Sequence, residues 1–296
     1  MEAVAINTLE QMQSAGHEQV SYFFDEETGL KAIIAIHSTR LGPALGGCRV
    51  WPYENEEAAL YDVLRLSRAM TYKNSAMGLH LGGGKAVIIA ESGVDKGGAL
   101  FEAFGRAVEN LGGRYITAED VGSEPEDMDA VRRHTDHVVG LPETSGDPSP
   151  ATAYGIFNGL KAALSHAFGS DDLQGRTVAI QGLGAVGMSL ARHLFDAGAR
   201  LVVTDIAKKR IDEAVSDLGA RAVTSSEIYD VDCDVFAPCA LGAVLNDDTI
   251  ARLRAKVVAG SANNQLAEAR HADALKERGI VYAPDFIING GGVINV

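Results

Sequence analysis

Lysines at positions 73 and 85 and a carboxylate at position 120 are the side chains whose type and setting best suit chemistry. Lys73 sits in Thr71-Tyr72-Lys73-Asn74, Lys85 follows Gly82-Gly83-Gly84, and Glu119-Asp120 closes the short apolar segment Tyr115-Ile116-Thr117. Two cations and a carboxylate at the ends of elements can bind an acid and move protons at one carbon. A lysine taken alone is usually a solvated surface group. Lys85 differs because it lies between a glycine run and the apolar residues 86–90. Partial burial there lowers a lysine toward neutrality and suits it to act as a base. Gly84-Lys85 is no phosphate loop, since Leu79 stands where the first glycine is required and Ala86 replaces the hydroxyl that holds magnesium. That argues against an ATPase.

Half the chain later, Gly182-Leu183-Gly184-Ala185-Val186-Gly187 follows a predicted strand and opens a predicted helix. In that context Gly182 permits a tight turn, Gly184 lets backbone approach a pyrophosphate, and Gly187 allows close packing of helix on strand. The helix start at Ala185 and Val186 offers free N–H groups to phosphates. Asp205 ends the next strand, where a carboxylate accepts hydrogen bonds from ribose hydroxyls and repels a 2′-phosphate. This favours NAD over NADP, tempered by the nearby Lys208-Lys209-Arg210. A hydride carrier beside a proton-transfer site implies an oxidoreductase.

These residues need a scaffold. Residues 30–37 and 49–51 read as strands, and Glu54, Glu56 and Glu57 open a helix running toward Lys73. Residues 86–90 read as a buried strand, 100–111 as a helix stopped by Gly112-Gly113, and 114–117 as a further strand. The best linker candidate spans residues 141–150, with Ser149-Pro150 as N-cap and first turn of a helix through Phe168 ended by Gly169. Strands are expected at 177–180, 201–204, 234–236, 256–259 and 280–282, with a helix over 185–195. The expected fold is α/β: an N-terminal α/β domain over residues 1–147, then a Rossmann-type doubly wound parallel sheet over 148–296.

With 296 residues, 46% hydrophobic and 22% charged, the chain is long enough for two cores. A net charge of -14 argues against nucleic acid and is read as solubility. No apolar run reaches membrane-spanning length, and the N-terminus shows no signal peptide. Cys48, Cys233 and Cys239 lack CxxC spacing, which fits buried thiols in a reducing cytoplasm. The eight histidines show no ligand spacing, so no metal is expected.

The chain resembles the leucine, valine and phenylalanine dehydrogenases of the glutamate dehydrogenase superfamily. The matching stretches are Leu41-Gly42-Pro43-Ala44-Leu45-Gly46-Gly47, Thr71-Tyr72-Lys73-Asn74, Gly82-Gly83-Gly84-Lys85 and Thr117-Ala118-Glu119-Asp120-Val121-Gly122. They continue with Ala237-Pro238-Cys239-Ala240-Leu241-Gly242, Gly260-Ser261-Ala262-Asn263-Asn264-Gln265, Tyr282-Ala283-Pro284-Asp285 and Gly291-Gly292-Val293-Ile294-Asn295-Val296. The resemblance covers nearly the whole chain, in order. It implies that Lys73 binds the substrate α-carboxylate, that Lys85 is the catalytic lysine, and that Asp120 passes protons to and from the amino group. It places Asn264 near nicotinamide and substrate, and Thr152, Cys239 and Ala240 at the cofactor. Leu45, with Gly46 beside it, Ala118, Val293 and Val296 correspond to the side-chain pocket. All are small or apolar, which disfavours glutamate and suits a branched aliphatic side chain; discrimination among leucine, valine and phenylalanine is worth only a few kcal/mol, and the aromatic alternative stays open. The resemblance further implies an amino acid, its 2-oxo acid and ammonia as partners, and a homo-oligomer. Two departures are visible. Asn289 is followed by Gly290-Gly291-Gly292 where the family has Asn-Ala-Gly-Gly, and relatives continue beyond the position of Val296 with helices that return to the first domain. The second leaves open an inactive nucleotide-binding relative.

Overall fold

The fold follows from where apolar faces must be covered. In this computed structural model, which describes residues 7–90, 97–141 and 147–295, the chain divides into two units, one ending at Asp147 and one spanning Pro148–Asn295. The linker residues 142–146, the N-terminal residues 1–6 and Val296 lie outside the described residues.

The first unit contains α1 (Thr8–Ala15), β1 (Gln19–Asp25), β2 (Leu30–Ser38), β3 (Ala44–Leu45), β4 (Cys48–Trp51), α2 (Glu56–Ala76), β5 (Gly82–Ile89), α3 (Gly98–Glu109), β6 (Tyr115–Ile116) and α4 (Pro125–Arg132). Its mixed sheet runs β1-β2-β5-β3-β6, with β4 pairing farther along β5. The β1–β2 and β2–β5 ladders are antiparallel; β3 and β4 run parallel to β5. Side chains alternate across a strand. Ile33, Ala35 and Val87 therefore pack under α2 against Ala59, Leu60, Val63 and Leu64. Their neighbours Ile34, Ile36, Ala86 and Ile88 face the opposite core with Phe101, Phe104 and Met128.

The predicted strand at 86–90 begins four residues earlier, so Gly82, Gly83, Gly84 and Lys85 are strand residues and Lys85 is not at an element's end. Glycine is a poor strand former, which hid this start. The glycines serve packing: a Cβ on Gly83 would strike the backbone and hydroxyl of Thr71, so α2 lies directly on the strand just before Lys73. Lys85 shares the α2 face with Gly83 and Val87 by the same alternation.

The second unit contains α5 (Ser149–Phe168), β7 (Thr177–Gln181), α6 (Ala185–Asp196), β8 (Arg200–Thr204), α7 (Lys208–Leu218), β9 (Arg221–Ala222), a 3-10 turn (Glu227–Asp230), β10 (Val235–Pro238), α8 (Asp247–Arg252), β11 (Val257–Val258), α9 (His271–Glu277), β12 (Val281–Tyr282), α10 (Asp285–Ile288) and α11 (Gly291–Asn295). Its strands are all parallel, in the order β12-β11-β10-β7-β8-β9. A parallel sheet is covered on both faces. Val178, Ile180 and Val203 pack with α5 and α6, while Ala179, Val202 and Phe236 pack with residues of α8 and α9. This is the doubly wound arrangement expected. One local assignment is corrected: Pro148 is the N-cap of α5, without a side-chain cap bond, and Ser149 is the first helical residue. The C-terminal stop at Gly169 is left-handed, φ 72°, as a glycine there allows.

Candidate active site

The three candidate charged groups of the first unit come from three different segments of the fold. Lys85 comes from the middle of β5 and is 4% exposed; Lys73 comes from the last turn of α2 and is 8% exposed. Asn74 beside Lys73 donates to Gly82 O at 2.5 Å, tying the end of α2 to the start of β5. Asp120 follows β6. Its segment is pinned to β4, because Cys48 N–H donates to Ala118 O at 2.8 Å and Val50 N–H donates to Val121 O at 2.9 Å. The Ser123 hydroxyl accepts from Asp120 N–H at 3.0 Å and donates to Cys48 O at 2.8 Å. Gly47 must lack a side chain, since its Cβ would collide with the backbone carbonyl oxygen of Glu119, just before Asp120.

The outcome is an ion pair withdrawn from water, with Lys85 Nζ 3.0 Å from Asp120 Oδ2. The same oxygen accepts from Arg49 Nε at 2.9 Å. Arg49 Nη1 donates in turn to Asp62 Oδ2 at 2.9 Å, and the Tyr53 hydroxyl donates to that oxygen at 2.6 Å. Sequence reasoning missed Arg49, Asp62 and Tyr53. A lone arginine on a strand and an aspartate in a helix carry no pattern that marks them.

Electrostatics follow from this packing. Burial lowers the proton affinity of Lys85; Asp120 raises it, Arg49 lowers it, and the net direction is down. Burial alone would raise the Asp120 carboxyl, but Lys85 and Arg49 outweigh it and hold it at about 2. The neighbouring Glu119 is pushed up to about 7, first by burial and then by Asp147 and Glu126. Leu45 and Gly46 lie buried on and after β3, and Ala118 is half-buried after β6. Gly46 O accepts from the Tyr115 hydroxyl at 2.5 Å.

The second unit builds its site from backbone. Gly182 has φ 99°, and a Cβ there would lie 2.8 Å from the Ala240 Cβ. A Cβ on Gly187 would collide with Gly182 O, whereas nothing lies near Gly184. The N-cap of α6, Gly184, has no side-chain cap bond, and the N–H groups of Ala185 and Val186 point out of the first turn. Asp205 Oδ2 accepts from Leu183 N–H at 2.6 Å and Oδ1 from Ala207 N–H at 2.7 Å. Each oxygen keeps accepting capacity for a ribose hydroxyl. Two members of the basic cluster beside it are already partnered, Lys208 with Asp212 at 2.8 Å and Arg210 with Asp205 at 3.8 Å. A bare glycine turn, an uncapped helix start and a fixed carboxylate fit a dinucleotide.

Asn264 has a left-handed backbone, φ 50°, held by its N–H donating to the buried Asp285 Oδ2 at 2.5 Å. Asn289 donates to Ser261 O at 3.0 Å and Asn263 Oδ1 at 2.8 Å, so the loop carrying Asn264 is bound from two sides. Thr152 lies in the first turn of α5, its hydroxyl bonded to Pro148 O at 2.9 Å. Cys239 is half-buried with its thiol bonded to Ser261, Ala240 is exposed, and Val293 is half-buried in α11. Lys73, Lys85, Asp120, Leu45, Gly46 and Ala118 thus belong to the first unit, and the remaining described site residues to the second.

Comparison with known proteins agrees. Residues 17–137 match the family described as Glu/Leu/Phe/Val dehydrogenase, dimerisation domain, and residues 145–207 and 203–295 match Glutamate/Leucine/Phenylalanine/Valine dehydrogenase. The chain belongs to this dehydrogenase family. It is 59% identical over 288 residues to leucine dehydrogenase of Bacillus subtilis (strain 168), covering 96% of this chain and 79% of that protein. It is 51% identical over 290 residues to phenylalanine dehydrogenase of Lysinibacillus sphaericus, covering 95% and 76%. Among solved structures, L-tryptophan dehydrogenase from Nostoc punctiforme superposes with a TM-score of 0.77 at 47% identity, covering 97% of this chain and 83% of that one. The family makes the chain an oxidoreductase acting on the CH–NH2 group of an amino acid, with a nicotinamide cofactor. Among the described residues no group of His, Cys, Asp and Glu could hold a metal ion, and no helix is long and apolar enough to cross a membrane.

Proposed function

We propose that the chain catalyses the reversible, NAD-dependent oxidative deamination of a branched-chain L-amino acid, leucine foremost and valine and isoleucine with it, to the 2-oxo acid and ammonia. The observation that carries this reading is the buried Lys85–Asp120 pair at 3.0 Å, with a second lysine, Lys73, on the helix packed over the same strand. Lys73 holds the α-carboxylate. Lys85, lowered by burial, takes a proton from the water that adds to the imino acid. Asp120 accepts and returns protons at the amino group as ammonia departs; the two groups titrate as a coupled pair, so Asp120 becomes a better acceptor once Lys85 is neutral. The nicotinamide, when bound, accepts the hydride from Cα. Asp205, with both oxygens fixed by backbone N–H groups, favours the unphosphorylated ribose. Asn264, Thr152, Cys239 and Ala240 are assigned to cofactor and substrate orientation.

Identity of 59% to a leucine dehydrogenase against 51% to a phenylalanine dehydrogenase supports the aliphatic substrate. The apolar Leu45, Ala118 and Val293 support it too, with no cation for a second carboxylate. Assembly as a homo-oligomer is supported by the match of residues 17–137 to a dimerisation domain. An activity screen across L-amino acids, run in parallel with NAD and NADP, tests the reading. Leucine, valine and isoleucine with NAD are expected to give the highest kcat/KM. A preference for phenylalanine would move the chain to the aromatic branch, and no turnover with any amino acid would overturn the reading.

A further inference from the structure

We propose that Arg49 is a positioning residue for the Lys85–Asp120 pair, a fixed cation that lets Lys85 release its proton while Asp120 stays charged and in place. The inference rests on the deamination reading above and deepens it. Asp120 Oδ2 receives two cations at once, Arg49 Nε at 2.9 Å and Lys85 Nζ at 3.0 Å. Only one of them can lose a proton, because a guanidinium does not deprotonate in a protein. If Lys85 were the sole partner, its deprotonation would strand a buried carboxylate without a counter-charge, which is strongly unfavourable. Lys85 would then keep its proton and fail as a base at neutral pH. Arg49 removes that obstacle, since the carboxylate keeps a partner in both states of the lysine.

Arg49 is itself held. Its second donor, Nη1, bonds Asp62 Oδ2 at 2.9 Å in the middle of α2, and the Tyr53 hydroxyl takes the same oxygen at 2.6 Å. The planar fork of an arginine spans two carboxylates on two elements, which a lysine cannot do. Tyr53, Asp62, Arg49, Asp120 and Lys85 thus form one unbranched line of contacts. Among the titratable or charged groups on the elements packed around Lys85 are Cys48 and Arg49 on β4, Tyr53 after it, Asp62 and Lys73 on α2, His37 on β2, Tyr115 on β6, and Glu119 and Asp120 after β6. Burial pushes Cys48 and Tyr115 upward, so both stay neutral where Lys85 titrates. Removing the Arg49 cation therefore raises the proton affinity of Lys85.

The test is the pH dependence of kcat/KM for L-leucine with NAD in the full chain, for wild type, Arg49→Gln, Arg49→Lys and Asp62→Asn, with melting temperatures measured alongside. In Arg49→Gln the acidic limb is expected to move up by about one pH unit, so activity falls about tenfold near neutrality and recovers at high pH. The KM for leucine should change less than about threefold, because Lys73 is intact. Arg49→Lys keeps a cation and should leave the limb near the wild-type position with a lower kcat. Asp62→Asn keeps Arg49 and should shift the limb less than Arg49→Gln. If Arg49→Gln does not fold, the limbs of Arg49→Lys and Asp62→Asn decide. A loss of activity equal at every pH, or an unmoved limb in Arg49→Gln, would overturn the assignment while wild-type turnover leaves the deamination reading standing. A wild type inactive with every amino acid would remove both.

Discussion

In the first unit the proposed chemistry at residues 49, 62, 85 and 120 rests on charged side chains drawn out of water and paired at 2.9–3.0 Å, whereas the proposed nucleotide loop at residues 182–187 of the second unit is shaped by missing side chains. A buried charge is tolerated only when it is partnered, so the first site is a set of mutual obligations in which each member fixes the next. A dinucleotide loop needs close backbone approach and free N–H groups, so the second site is fixed by sterics. The lesson is that damage should propagate differently. Removing a charge from the first site disturbs proton transfer and leaves nucleotide affinity alone. Adding a methyl group to the second disturbs folding and nucleotide affinity and leaves the lysine pair alone.

The largest expected effect comes from Lys85→Ala. It should lower kcat about 10³-fold, the scale of a lost general base, with NAD affinity by calorimetry unchanged within about twofold. A parallel loss of affinity would erase the contrast between the units. Gly187→Ala should do the reverse. Its new Cβ collides with the Gly182 carbonyl, a backbone atom that cannot rotate away, at about 1–3 kcal/mol as overpacking. A lowered melting temperature and weaker NAD binding are expected, and wild-type values for both would show that the close approach is dispensable.

Acid sharpens the comparison further. The folded Asp120 carboxyl lies at about 2, below its ordinary 3.8, so its contribution to stability is fully present above the ordinary value and is lost as pH falls through 2. That contribution is about 2 kcal/mol and should appear as a falling urea midpoint between those pH values. Asp120→Asn should flatten this slope, and an equal slope in the variant would place the acid sensitivity elsewhere. The smallest effect is expected for Lys73→Ala, a rise of about tenfold in KM for the amino acid with a smaller change in kcat. A kcat collapse instead would give Lys73 a part in the proton chemistry.

The two regions also differed in how much of them could be read beforehand. The strands of the second unit at 177–181, 200–204 and 235–238 are continuous apolar runs because a parallel sheet buries both faces, and such runs stand out. The helices α7, α8 and α9 and the two-residue strand β9 did not, since short or strongly charged segments carry little periodicity. In the first unit α1, β3 and α4 went unread for similar reasons, and β1 because the exposed Tyr22 and Phe24 beside Phe23 blur the alternation of apolar and polar residues. The start of β5 was concealed by three glycines that serve packing rather than strand propensity: Gly83 lets α2 approach at Thr71, Gly82 lies against Ser38 O, and Gly84 lies against the Tyr115 ring. Lys73, Lys85 and Asp120 were legible because they sit in short, distinctive stretches. Arg49, Asp62 and Tyr53 were not, because their meaning comes only from the fold that brings β4, α2 and the segment after β6 together. Asn264 was legible as a residue, but its left-handed backbone and its anchor at Asp285 were not.

The most direct measurement of the central claim is product stoichiometry for the wild-type chain supplied with L-leucine and NAD. The account predicts NADH, ammonia and the 2-oxo acid in equal amounts, with formation that rises with pH as Lys85 loses its proton. NADH absent, or NADH formed without ammonia, would contradict it.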